Sequence, residues 1–230
     1  MASGHTATRE QRARDVRVWD LPTRLFHWTL ALLVAVAVVS AKMDALSVHM
    51  FVGETILALV LFRLVWGIVG SQTARFSDFI KGPRAILAYI VQSKTPGAAP
   101  VTLGHNPLGG LMVVVLLLVL TAQAASGLFT SDDITVDGPL VPLAAGATVK
   151  ALSTLHRLLS DGILILVGLH VAAVLAYLLV KKDNLIRPMI TGRKSVAHPA
   201  SDPRRVSPML ALAILLAAVG VVSLVVRAAG

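Results

Sequence analysis

Leu155–Val180 reads LHRLLSDGILILVGLHVAAVLAYLLV, a long apolar segment that contains two histidines, His156 and His170. At ~1.5 Å rise per helical residue, their fourteen-position spacing sets them about 21 Å apart along one helix axis. That spacing is close to four full turns, so both imidazoles leave the helix from nearly the same face. A helix with a histidine near each end, both turned to the same neighbours, suits axial ligands for two stacked metal centres. The rest of the chain is expected to supply their partners.

The 230-residue chain is 56% hydrophobic, with a mean hydropathy of +0.78. Long apolar runs with few charges indicate transmembrane helices. The sequence predicts helices at about Leu25–Ala41, Val48–Val69, Pro107–Phe129, Leu155–Val180 and Pro208–Val226, with Thr130–Thr154 folding over one end as an irregular cap. Cysteine is absent, which excludes disulfides, iron–sulfur clusters, thiolate ligation and covalent c-type haem attachment. Residues 1–24 are polar and basic, and the first eight read as disordered. Val39-Ser40-Ala41 resembles a signal-peptide cleavage site, but cleavage there would discard His27.

The net charge of +9 is distributed by side. Arg9, Arg12, Arg14, Arg17 and Arg24 precede the first helix. Arg75, Lys81, Arg84 and Lys94 lie between the second and third. Lys181, Lys182, Arg187, Arg193, Lys194, Arg204 and Arg205 lie between the fourth and fifth. The other side has Lys42, Lys150, Arg157 and Arg227, with Asp132, Asp133 and Asp137. By the positive-inside rule the N-terminus is cytoplasmic. The charge is therefore a topology signal, and nucleic acid is not an expected partner.

Of seven histidines, His5 and His198 lie in polar segments. Ionisable side chains inside membrane helices are costly and point to function. His49 matches His156 in depth near the outer face, and His27 matches His170 near the inner face. Two bis-histidine sites, one above the other, suit electron passage across a bilayer. Haem iron with both axial positions closed favours electron transfer over oxygen binding. Zinc or copper would want three or four ligands at one depth. Gly53, one turn after His49, and Gly168, beside His170, leave room for a porphyrin; Gly162 lies between the two histidines. The same glycines also suit close helix packing. Arg157, Arg24 and Arg63 can pair with propionates, and Arg24 and Arg63 equally suit a positive-inside anchor.

These residues resemble those of a family, the bacterial di-haem cytochromes b of the cytochrome b561 type, which include the b subunit of nickel–iron hydrogenases. The resemblance covers about Val18–Lys194. It is carried by VWDLPTRLFHW with His27, by His49 with Gly53, and by RLVWGIVG at Arg63–Gly70. GHNPLGG at Gly104–Gly110, SGLFTSDD at Ser126–Asp133 and LHRLLSDGILILVGLH at Leu155–His170 complete it. It implies two haem b groups, an outer one on His49 and His156 and an inner one on His27 and His170. It also implies a quinone pocket at His105, Asn106 and Gly109, where His105 can donate a hydrogen bond and a proton. Asn106 alternatively caps a helix.

The expected fold is an all-α membrane bundle, with a four-helix di-haem core and a fifth, C-terminal helix. The expected division is a basic cytoplasmic arm (1–17), a cytochrome b membrane domain (18–194), and a polar linker with the extra helix (195–230). Ala213, Ala217 and Gly220 would give that helix a small-residue face for docking on the core, a second copy or a partner. The expected function is transmembrane electron transfer in the bacterial inner membrane, between the quinone pool and an outer redox partner. That partner would be a c-type cytochrome or an iron–sulfur protein. A stand-alone superoxide:quinone oxidoreductase is the alternative; Lys150 and Arg157 favour it and the outer-loop aspartates oppose it. A non-haem scaffold or transporter is a third possibility. It is opposed by the lack of a carboxylate chain, since Glu54 and Asp161 are the only acids near the helices.

Overall fold

A computed structural model describes residues 14–93, 102–132, 136–196 and 201–229. The expected disorder of the first eight residues, and His5, His198, Lys94 and Asp133, lie outside these. The chain runs β1 (Arg14–Arg17), α1 (Leu21–Lys42), α2 (Leu46–Val69), α3 (Phe76–Phe79), α4 (Pro83–Ser93) and α5 (Pro107–Gly127). It continues with α6 (Gly146–Leu179), α7 (Ile186–Thr191), β2 (Arg193–Val196) and α8 (Pro208–Ala229). Among the described residues α1, α2, α5, α6 and α8 are long and apolar enough to cross a membrane.

Capping explains where two of these helices begin. The Asp20 carboxylate accepts from the Thr23 N–H at 2.8 Å, with Pro22 in the first turn. Both features start a helix, so α1 opens at Leu21 rather than Leu25 and His27 falls in its second turn. Asn106 does the same for α5, accepting from the Gly109 N–H at 2.7 Å. The larger departure is α6, which begins at Gly146 rather than Leu155 without a capping side chain. Burial of Val149 and Ser153 holds its added turns, and the Ser153 hydroxyl accepts from the Ser131 N–H at 3.2 Å. The cap expected over Thr130–Thr154 is thus irregular only as far as Ala145. With 34 residues, α6 is about 51 Å long against a hydrocarbon core of about 30 Å.

Helix α2 is the most buried of the five and α6 the least. Helices α1 and α2 form a hairpin whose turn puts Asp44 at φ 53°, a left-handed conformation that Asp tolerates. Helix α2 also packs on α5 and α8, whereas α6 packs on α5. One apolar cluster joins Phe26, Leu59, Phe62, Trp66, Leu117, Ala211 and Ala218. A second joins Val52, Ile56, Val60, Leu120 and Ile163. Trp66 is fully buried, stacks on Phe62, and donates its indole N–H to Asp20 at 3.2 Å. The cap of α1 is thereby tied to the core of α2.

Helix α8 docks on its own bundle through Ala211, Ala218 and Val222. Ala213 and Ala217 are exposed, so of the three expected partners for that face the core is not the one it meets. Spacing alone does not separate two small-residue faces on so apolar a helix. A two-stranded antiparallel ribbon was also not foreseen: β1 pairs with β2, Val16 opposite Lys194 and Arg17 opposite Arg193. Val16 and Val196 are buried beneath it, and the Val18 and Trp19 N–H groups both donate to the Gly192 carbonyl. The ribbon thus fastens the start of α1 to the chain that follows α6.

Candidate functional site

The histidines meet in pairs across two hairpins. His27 on α1 and His170 on α6 have ring centres 6.3 Å apart, with planes inclined at 57°. His49 on α2 and His156 on α6 have ring centres 6.1 Å apart, with planes at 89°. A metal holds an imidazole nitrogen at about 2.0–2.1 Å, and that nitrogen lies about 1 Å from the ring centre. Two rings on opposite sides of one ion are then a little over ~6 Å apart, and a tetrahedral angle would bring them to ~5 Å. Both pairs match the opposed arrangement. Among the described residues no three His, Asp or Glu side chains gather as a metal site, so each depth offers two ligands and no more.

Hydrogen bonding aims one pair. His49 Nδ1 lies 2.9 Å from the Ala37 carbonyl. A carbonyl can only accept, so Nδ1 carries the proton and Nε2 presents its lone pair. His156 Nδ1 lies 3.0 Å from the Gln123 carbonyl and has the same consequence. Such bonds fix the tautomer and raise ligand basicity. The Gln123 side-chain amide sits 3.1 Å from His156 Nε2, and Ser126 lies beside Nδ1. At the other pair, His27 Nδ1 is buried without a partner, the kind of orphan a bound group is expected to satisfy.

Two kinds of glycine line the region. A Cβ at Gly53, Gly162 or Gly168 would meet no atom within 4 Å. These are therefore open positions and not the close helix contacts that also suited the sequence. A Cβ at Gly127 would lie 2.9 Å from His156 Cε1, so the missing side chain is what lets the ring rest on α5. Sequence reasoning missed Gln123 and Gly127, although a lone glutamine inside an apolar span is itself a signal.

The arginines separate. Arg157 is exposed and donates weakly to Thr154 at 3.4 Å. Arg63 is 2% exposed, lies over the Phe76 ring at 5.2 Å, and leaves Nη1 without a partner. Arg24 has a buried, unpartnered Nε.

His105 is wedged between Trp19 at 4.6 Å and Phe79 at 4.7 Å, with its Nδ1 buried and unpartnered. Burial, and then the nearby Arg63 charge, push its pKa down to about 3. Asn106, besides capping α5, donates to the Tyr177 hydroxyl at 3.0 Å, and Tyr177 shares a 2.7 Å hydrogen bond with Tyr89. A Cβ at Gly109 would touch Asn106 Oδ1 at 3.4 Å.

Imidazoles facing one another in pairs, at two depths of an apolar helical bundle, belong to the class of membrane-spanning b-type cytochromes. The model of the prokaryotic cytochrome b561 family matches residues 18–192, and the chain belongs to that family. No curated protein and no solved structure matches it. Membership implies haem b and haem-mediated electron transfer across a membrane.

Proposed function

We propose that the chain carries two haem b groups, one held by His49 and His156 and the other by His27 and His170. We propose further that it conducts electrons between the quinone pool and a redox protein on the outer face. The observation that carries this reading is the spacing of the two pairs, 6.1 and 6.3 Å, at which two opposed imidazoles share one ion. When bound, haem supplies a one-electron iron couple. The chain's own work is ligation, spacing and exclusion of water. Ala37 and Gln123 hold the Nε2 lone pairs of His49 and His156 in place. Gly53 and Gly168 keep side chains out of space that a flat macrocycle needs. Arg24 and Arg63, each with an unpartnered buried nitrogen, are the proposed propionate partners at the His27 end, and Arg157 at the His156 end.

In the proposed orientation the N-terminus faces the cytoplasm of a bacterium and the first turns of α6 project from the outer face. Arg17, Arg75, Lys81, Arg84, Lys181 and Lys182 at one end, against Lys42, Lys150, Arg157 and Arg227 at the other, support that orientation. The quinone is proposed to bind at the cytoplasmic end, beside His105, Asn106 and Gly109. His105 is neutral at physiological pH and offers a hydrogen bond rather than a proton. Residues 18–194 form the proposed electron-transfer unit, between the basic arm (1–17) and the linker with α8 (195–230). The β1–β2 ribbon joins residues on both sides of each boundary.

His170→Ala and His156→Ala, each purified and assayed by pyridine haemochrome, test the assignment. Each variant is expected to hold one haem per chain, against two in the unmodified protein. Unchanged haem content in either would overturn it.

A further inference from the structure

Four arginines from four segments converge on one cavity of about 330 Å³: Arg17 of β1, Arg24 of α1, Arg193 of β2, and Arg205 ahead of α8. Arg17 and Arg193 are direct cross-strand partners, so two like charges stand side by side on one face of the ribbon. Like charges directly opposite one another are destabilising, and an anion between them would relieve the repulsion. The Arg24 guanidinium lies against Gly192, where a Cβ would be 2.5 Å from its Nη1. The carboxylate that lines the cavity, Asp20, is already engaged by Thr23 and Trp66. Among the described residues the one ion pair within 4 Å is Lys194–Asp183, so none of the four arginines is neutralised there by a carboxylate. Planar guanidinium groups converging in this way match the oxygens of a phosphate.

The surroundings indicate where that phosphate comes from. The cavity is lined by Leu21, Pro22 and Pro208, the residues at which two apolar spans begin. Just along those spans Leu21, Leu25, Met209 and Leu210 are exposed. Charge above an exposed apolar flank matches a headgroup with acyl chains below it, and basic pockets at the ends of membrane helices favour anionic lipid. We propose that this cavity is a binding site for the phosphate of an anionic phospholipid, which locks the ribbon to the starts of α1 and α8.

The test is native mass spectrometry of the full haem-loaded chain in zwitterionic detergent, titrated with dioleoyl phosphatidylglycerol or dioleoyl phosphatidylcholine. The phosphatidylglycerol adduct is expected to dominate. At about fivefold per charge near a membrane surface, Arg193→Gln with Arg205→Gln is expected to weaken it by about 30-fold. The charge-matched variant Arg84→Gln with Arg187→Gln lies outside the cavity and is expected to retain the adduct. Soret absorbance per chain is expected to stay unchanged in both variants. Equal retention of the two lipids by the unmodified chain would overturn the proposal, and that arm needs no variant to fold. Equal loss in both variants would also overturn it, as would loss of haem from the cavity variant, which would assign the arginines to propionates. Displacement of the adduct by inorganic phosphate would reassign the cavity to a soluble anion.

Discussion

The contact between Gly127 and His156 gives the sharpest test of how the far site is built. Gly127→Ala would put a methyl group 2.9 Å from His156 Cε1 and 3.2 Å from its Nδ1. Carbon contacts settle at about 3.5–4.0 Å, so the ring must retreat by about 0.5 Å or more. Its bond to the Gln123 carbonyl is 3.0 Å long, and a retreat of that size carries it to the limit of a hydrogen bond. Losing the bond costs about 1 kcal/mol, and losing such an orienting contact typically weakens a metal site by about 10–100-fold. On the proposed assignment of one haem to each histidine pair, haem is therefore expected to wash out of the His49–His156 site first on repeated dilution in detergent, and from the His27–His170 site later. The assay is haem per chain by pyridine haemochrome across a dilution series, with a redox titration alongside. Gly82→Ala, ahead of α4 and on none of the helices that carry the paired histidines, is the control, since its methyl group meets nothing within 4 Å. A Gly127→Ala protein with the haem retention and midpoint potentials of the unmodified chain would refute the reasoning.

Three further outcomes are expected. Gly67→Ala would drive a methyl group into the Phe76 ring, and overpacking of this kind costs about 1–3 kcal/mol; a lower midpoint in thermal Soret loss, with unchanged haem content, is the signature. Asp20→Ala removes both the cap of α1 and the acceptor for Trp66, an expected loss of about 1–3 kcal/mol, measured by the same melt. Because His105 is held down to about 3 against about 6.5 in an unfolded chain, the unfolded state binds the extra proton between those values. Its contribution is full above about 6.5 and is lost as pH falls toward 3, so His105→Gln is expected to flatten the pH dependence of the melting midpoint over that window. An unaltered slope would show that His105 is not shielded as described.

The five spans were legible because apolar length overrides local detail, and Asn106-Pro107 marked the start of α5 through cap chemistry. Where the sequence misled, the cause is physical. Gly146–Thr154 reads as the end of an irregular cap, yet Val149 and Ser153 are buried and extend α6 by more than two turns. The ribbon was hidden because RDVR and RKSV are four residues each, too short and too basic to show alternation. His27, His49, His156 and His170 stood out by their depth, and the structure brings each near its expected counterpart. Gln123 and Gly127 did not stand out, because their importance lies in what touches them across two helices. The cavity arginines were legible only as topology signals, since their convergence depends on the ribbon.

Helix α6 faces a different helix at each of its two histidines, α1 at one and α2 at the other. It therefore acts as a gauge of fixed pitch. A slip by one turn, about 5.4 Å, would take both rings out of line together, so neither site can be retuned by sliding that helix without dismantling the other. An insertion or deletion between positions 156 and 170 would turn one ring away from its counterpart, whereas the turns before His156 are held separately, by Val149 and Ser153.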